Sequence, residues 1–344
     1  MRIVHGVFVG LILLGIAVAE SEKPPLPKPT EIYEKPDLRI ERHESACNTY
    51  LLFCTATDEF VCIDPSPKIT AVITAKIAEN KKFKAIWITH EHGDHVAGLA
   101  EVLAKYEVPA VSCAEGKKGI VETAEHWKDW GFEGTSPPPA PDTIIEHGDE
   151  VKVGKLTFTA THLPGHSHGS LGYYLKDRIL FAGDVLFRGS IGRTDLPTSD
   201  RSVFEKSLSD HLWDLPDAVD VFPGHGDRTT MKREKKMNWL FQDFVRAGRG
   251  EEPIERPWFG IGIDRERKEK GLKLTQISPG SPAEKCGLKP GDVIVKMGEK
   301  VLAGVDDFMK VFVASKVGDK VPLVVMRGEE KLEVTIEFTA RPKR

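Results

Sequence analysis

No charge of one sign dominates this chain. Lys and Arg total 48 against 52 Asp and Glu, a formal net charge of -4, so there is no electrostatic footprint for a polyanion and no nucleic-acid partner is expected. Long apolar runs are missing too. The best candidate, Gly6 to Ala19, has about fourteen residues where roughly twenty are needed to cross a bilayer, so no stable membrane span is expected once it is removed. The five cysteines, Cys47, Cys54, Cys62, Cys113 and Cys286, form no Cys-x-x-Cys pair, which removes the ligand pattern of a sulfur-held structural zinc. Also absent are internal repeats and any serine or cysteine triad motif.

What is there fits two domains behind a leader. A chain of 344 residues, 40% hydrophobic and 29% charged, exceeds one typical domain and can bury a core. Met1-Arg2, the apolar run and the small residues Ala17-Val18-Ala19 before Glu20 read as a cleaved export signal over residues 1–19, predicting a periplasmic or secreted protein. Residues 20–36, rich in proline and charge, read as an extended linker. Residues 37–250 form the first predicted domain and 251–344 the second, the pattern breaking around Arg249-Gly250-Glu251-Glu252-Pro253. In an oxidising compartment Cys54 and Cys62, flanking the turn-like Thr57-Asp58-Glu59, could face each other as a disulfide; buried free thiols are the commoner state.

Within the first domain the apolar pattern alternates. Strands are predicted at 49–54, 60–63, 85–88, 156–161, 171–175, 179–182 and 219–222, and helices at 69–79, 94–106 and about 231–247, which is mixed α/β structure. Polar clusters recur at strand ends. The densest is Thr89-His90-Glu91-His92-Gly93-Asp94-His95, where three imidazoles and a carboxylate crowd one turn. Such donors suit divalent Zn, Fe, Mn or Ni and are costly to hold together without a cation. His166, Asp184 and His225 also fall just beyond predicted strands, where ligands can converge on one edge of a sheet. His162 and His168 flank His166 and are read as solvated or supporting groups. Residues 137–141, with four prolines, mark a surface loop.

These segments, THEHGDH, then Pro164-Gly165-His166, then Ala182-Gly183-Asp184, then Pro223-Gly224-His225-Gly226, resemble the four ligand motifs of the metallo-β-lactamase superfamily, in order. The resemblance implies an αββα sandwich with metals at one edge. It implies one cation on His90, His92 and His166, a second on Asp94, His95 and His225, and Asp184 bridging them, with Asp94 and Asp184 as the catalytic carboxylates. Zn is the first expectation, Fe or Mn the alternatives. A pair of cations about 3.5–4 Å apart can activate a shared water and polarise the scissile carbonyl or phosphoryl group. The stretch from Gly183 to Pro197 resembles the glyoxalase II-like hydrolases, and Gly226, Thr229-Thr230, Glu234 and Asn238 resemble their short bacterial forms. This implies a small-molecule thioester substrate of the S-acylglutathione type. Arg193 and Asp195 are read as a buried ion pair under Asp184, with substrate contact as the alternative. A persulfide dioxygenase of the same superfamily would keep only His90, His166 and Asp184, around one Fe.

After the break, Trp258-Phe259-Gly260-Ile261-Gly262-Ile263 and the stretch Ser278 to Ile294 resemble a PDZ domain of the type carried by exported bacterial serine proteases. A small domain of strands and two helices is implied, the first capped at Ser281 and the second over 306–314. The family's peptide-binding loop falls on Phe259, Gly260, Ile261, Gly262 and Ile263, so a peptide or protein C-terminus is an implied partner. A protein that acts chiefly as an adaptor, its metal domain without turnover, is the reading from a different class.

Overall fold

A computed structural model describes residues 26–129, 131, 135–252, 254–264 and 269–340. The predicted leader and the start of the linker lie outside these residues. The first unit is built on two sheets. One runs Glu31–Lys35, Leu38–Glu44, Asn48–Cys54, Glu59–Ile63, Lys82–Trp87, Ala110–Ser112, Thr143–Ile144; the other runs Thr229–Thr230, Asp220–Pro223, Ile179–Gly183, Leu171–Leu175, Leu156–His162, Glu150–Val153. Between them lies a core with Tyr50, Leu52, Val61, Trp87, Phe158, Tyr173 and Phe181. The outer face of the first sheet packs on helices through Leu51, Phe60, Ile73 and Val102; that of the second does so through Leu180, Phe204, Leu208 and Phe241. Four layers result, helix, sheet, sheet, helix.

The sequence explains the layering. Successive side chains of a strand point to opposite faces, so a strand covered on both sides reads as a continuous apolar run. In Asn48–Cys54 every residue is buried, with Tyr50, Leu52 and Cys54 turned to the other sheet and Leu51 and Phe53 to the helices. This alternation removes the disulfide expectation. The hairpin does turn at Asp58, but its register pairs Cys54 with Glu59 and Leu51 with Cys62. Cys54 belongs to the core between the sheets and Cys62 to the outer layer, and both are free thiols.

Other departures have local causes. Glu31–Lys35 is an edge strand paired with Leu38–Glu44 rather than linker, held because the Tyr33 ring packs edge-on against Phe222 and its hydroxyl donates to Asp220. The helix predicted over 94–106 is two pieces, Gly93–Val96 and Leu99–Leu103. The Gly98 N–H between them donates to Pro65 O. The later helix is also two, Met231–Met237 and Trp239–Gly248, broken at Asn238, which takes extended backbone and caps the second.

The second unit orders its strands as Ile261–Ile263, Leu272–Ile277, Val293–Met297, Lys320–Arg327, Glu330–Glu337. Its helices are Pro282–Lys285, where Ser281 accepts from the Glu284 N–H, and Val305–Ala314. Phe259, Leu274, Ile294, Phe308 and Phe338 form its core. Among the described residues no helix is long and apolar enough to cross a membrane.

Candidate metal centre

Parallel pairing points several strands the same way. Glu59–Ile63, Lys82–Trp87 and Ala110–Ser112 run parallel in the first sheet, as do Ile179–Gly183 and Asp220–Pro223 in the second. Their carboxyl ends therefore release chain toward one edge, and the residues that follow are Asp64, the Thr89–His95 turn, Asp184 and Gly224-His225. His166 arrives on the loop after Leu156–His162.

All seven donors expected from the sequence are brought together there. The Nε2 atoms of His90 and His166 each stand 3.1 Å from His92 Nδ1. His225 Nε2 lies 3.1 Å from Asp94 Oδ2, and His95 Nε2 lies 3.6 Å from the same oxygen. Between the two groups sits Asp184. Its Oδ1 is 3.3 Å from His95 Nε2, and its Oδ2 is 3.5 Å from His225 Nε2 and 3.7 Å from His166 Nε2.

These residues fit divalent cations. Four-coordinate Zn with ligand bonds of about 2.0–2.1 Å sets its donors roughly 3.3 Å apart, close to the separations seen. One proton cannot satisfy a ring nitrogen that faces two others, whereas a cation satisfies all three. His95 Nε2 and Asp184 Oδ1 are buried without a hydrogen-bond partner, a costly state unless a ligand takes them up. The donors within each triad, His90-His92-His166 and Asp94-His95-His225, lie within 4.8 Å of one another.

The charges respond to this crowding. Burial, reinforced by the other rings, pushes His90 well below the usual imidazole range and His92 down to about 4. Asp94 is held at about 2: burial raises it, but the hydrogen bond from His225 and the charge of His95 outweigh that. His225 is raised, first by its bond to Asp94.

Four of the donors are aimed by groups outside the two triads. His95 Nδ1 is 2.9 Å from Asp64 Oδ2, and Asp64 also accepts from the Thr89 N–H at 2.7 Å and the Thr89 hydroxyl at 2.6 Å. His166 Nδ1 meets Arg193 O at 3.0 Å. His92 Nε2 faces the Thr198 hydroxyl at 3.1 Å. The His225 turn is tied down where Tyr50 and Asn48 donate to Pro223 O and the Asn48 N–H to Gly224 O. A Cβ at Gly224 would stand 2.2 Å from Asp184 Oδ1, so this position admits no side chain.

Sequence reasoning missed Asp64, and its signal was faint: a single acid ending the apolar run Phe60–Ile63. It also left Glu91 unassigned. That side chain turns away from the donors to accept from Ser167 Oγ at 2.8 Å and the Gly169 N–H, joining the first turn to the loop of His166. Arg193 and Asp195 do pair, at 2.6 Å, but both are exposed, 62% and 69%. The buried pair under Asp184 is thus corrected, for it is the Arg193 backbone carbonyl that faces inward. His162 and His168 stand outside both triads, His162 Nε2 meeting His168 O at 2.9 Å. His162 instead lies near Cys113 and Glu115, where the buried thiol already donates to Gly169 O and accepts from the Gly116 N–H.

A four-layer sandwich with two sets of donors sharing one aspartate at its sheet edge is the architecture of a metal-dependent hydrolase class. Residues 44–225 match the Metallo-beta-lactamase superfamily, more than half of the chain, and the chain belongs to that superfamily. Residues 260–338 match the PDZ domain. Among curated proteins, the chain is 34% identical over 163 residues to the "Probable metallo-hydrolase YqgX" of Bacillus subtilis, covering 46% of this chain and 76% of that one. It is 30% identical over 178 residues to the "Hydroxyacylglutathione hydrolase GloC" of Haemophilus influenzae, covering 51% and 84%. Among solved structures, the BLEG-1 B3 metallo-beta-lactamase matches with TM-score 0.52 and 31% identity over 56% of this chain and 94% of that one.

Proposed function

We propose that this protein is an exported hydrolase of thioesters of the S-acylglutathione type, using two divalent metal ions and carrying a PDZ domain for a peptide partner. The observation that carries the reading is the convergence of seven donors as two triads with Asp184 between them. A one-iron dioxygenase would use only three of these groups. The 30% identity to a hydroxyacylglutathione hydrolase supports the thioester class.

On this reading His90, His92 and His166 would hold one cation, Asp94, His95 and His225 the other, and Asp184 would be available to both. Zn is the first candidate, with Fe or Mn as alternatives. Bound cations there would lower the pKa of a coordinated water and polarise the thioester carbonyl. The chain's own part is placement. Asp64 holds His95 with Nδ1 protonated and Nε2 free to donate, and Arg193 O does the same for His166. Asp94 is the more open carboxylate, 32% exposed against 12% for Asp184. It stays ionised at neutral pH, so it would serve the second cation as an anionic ligand and help to orient a coordinated water beside it.

The PDZ part of the proposal rests on Phe259 to Ile263. Gly260 has φ +82°, and a Cβ there would meet Ser281 Cβ at 2.1 Å, so only glycine lets the loop lie this close to the following turn. Ile261–Ile263 is an edge strand, able to pair with an added peptide strand.

The test is elemental analysis of purified mature protein, coupled to a thioester panel with and without glutathione as leaving group. Two metals per chain and glutathione-thioester cleavage, lost in Asp94→Ala and His92→Ala, are expected. A two-metal protein inactive on every thioester would overturn the substrate class; one iron with oxygen uptake on glutathione persulfide would overturn the hydrolase. Export is checked by the mature N-terminus, expected at Glu20.

A further inference from the structure

Between the two units runs a cleft of about 1020 Å³, at the upper limit of the roughly 300–1,000 Å³ usual for small-molecule pockets. Its floor and one wall come from the PDZ domain: Phe259, Ile261 and Ile263 on the loop and edge strand, Phe308, Met309 and Phe312 on the helix Val305–Ala314. The opposite wall does not. It is made by Trp239, Leu240 and Asp243 on the helix Trp239–Gly248 and by Glu252, Ile254, Glu255 and Arg256 on the connection.

That wall is held in place. Asp306, at the start of the PDZ helix, is salt-bridged to Arg188 and, at 2.8 Å, to Arg233 of the hydrolase. The Trp239 ring lies 4.8 Å from the Phe312 ring, and the Arg256 guanidinium stands 5.0 Å over Trp239. Two large apolar side chains on this wall are nevertheless left open to solvent, Leu240 at 47% and Ile254 at 50%. Neither belongs to any of the four cores, and both line the same cleft, so they offer a ligand an apolar surface there.

Charge narrows the ligand. The wall carries Asp243, Glu252 and Glu255 against Arg256, and Arg256 pairs with Asp243 at 2.7 Å. Glu252 and Glu255 leave it acidic, which repels anionic lipid and favours a basic segment.

Resting on the PDZ reading above, we propose that the peptide site is shared by both domains, the hydrolase supplying its second wall, and that it takes a C-terminus with an apolar last residue and Lys or Arg a few residues upstream. The last side chain sits among Phe259, Phe308 and Phe312. The preceding residues pass along Leu240 and Ile254, and the basic group reaches Glu252 and Glu255.

The probe is a library of octapeptides with free carboxyl termini and randomised last five positions, selected on the full chain and on Leu240→Gln and Glu255→Lys. Both residues are exposed, and unchanged melting and metal content would show the variants intact. Wild type is expected to enrich apolar termini with upstream Lys or Arg. Fluorescence anisotropy with the top sequence should show binding about ten-fold weaker to Leu240→Gln, the effect typical of losing one buried anchor contact, and at least as much weaker for the C-terminal amide. Glu255→Lys should lose the basic preference. Carboxylate-dependent binding that both variants keep within two-fold would overturn the shared wall while leaving the PDZ reading standing. No enrichment on the wild type would remove both, and binding only to phosphatidylglycerol vesicles would assign the cleft to a membrane.

Discussion

Replacing Asp64 by Asn tests how the second triad is aimed. The change keeps the volume and tolerates φ +51°, a left-handed position that Asp and Asn both accept. In the native site one carboxylate oxygen accepts from the Thr89 N–H, while the other accepts from the Thr89 hydroxyl and faces His95 Nδ1 at 2.9 Å. The asparagine oxygen must stay with the Thr89 N–H, which cannot turn into an acceptor. Its NH2 group then faces His95 Nδ1. The ring answers by moving its proton to Nε2, the atom that points at Asp94 and Asp184, and so loses its lone pair for metal. Outer-shell changes of this kind cost about 10- to 100-fold in metal affinity, or roughly 1.4–2.7 kcal/mol. Disturbing a buried hydrogen bond adds about 1–3 kcal/mol of lost stability. The assay is metal content after dialysis against a graded chelator, with imidazole 15N shifts to report the tautomer. The second cation should be lost first while the His90-His92-His166 set stays loaded. Two cations held with native affinity, or an unchanged His95 tautomer, would refute the reasoning.

Three further outcomes follow from the same geometry. Gly224→Ala puts a Cβ 2.2 Å from Asp184 Oδ1 and 2.6 Å from His95 Cε1; a loss of the proposed thioesterase activity of about 100-fold or more is expected from such displacement, with soluble folded protein by circular dichroism, and near-native kcat/KM would contradict the packing. Metal uptake should strengthen as pH rises, because His225 is raised by Asp94 and must shed its proton to bind; zinc competition between pH 5.5 and 8 should show this slope, reduced in His225→Ala. Glu41, 1% exposed and paired with Arg39 and Lys76, is depressed from 4.5 to about 2: burial opposes ionisation, and its basic neighbours prevail. Its contribution of about 3 kcal/mol is therefore present above pH 4.5 and lost as pH falls toward 2, so urea melts of Glu41→Gln should show lower stability at pH 7 and a flatter acid limb, and parallel curves would refute it.

The four polar motifs were legible because each follows an apolar strand and because imidazole and carboxylate at close spacing have few uses besides metal. Their supports were not. Asp64 looks like any acid at a strand end until pairing with Lys82–Trp87 sets it beside Thr89 and His95. Arg193 and Asp195 look like an internal pair in a glycine-rich loop, yet the backbone turns the carbonyl inward and leaves the charges in water. Cys54 and Cys62 flank a hairpin as a disulfide would, and a strand's two-residue alternation with this register sends them to opposite faces.

The sequence by itself determined that there are two units, that the first is a layered α/β structure of the metallo-β-lactamase kind, and which donors are available, since these depend on periodicity and on residue chemistry carried locally along the chain. Only the tertiary structure decided which atoms of the donors face one another, that Asp64 and Arg193 O aim two of the rings, and that a wall of the hydrolase stands across the PDZ groove. Those facts depend on strand register and on contacts between residues as far apart as Arg188 and Asp306, and no local pattern of side chains encodes a distance across a core.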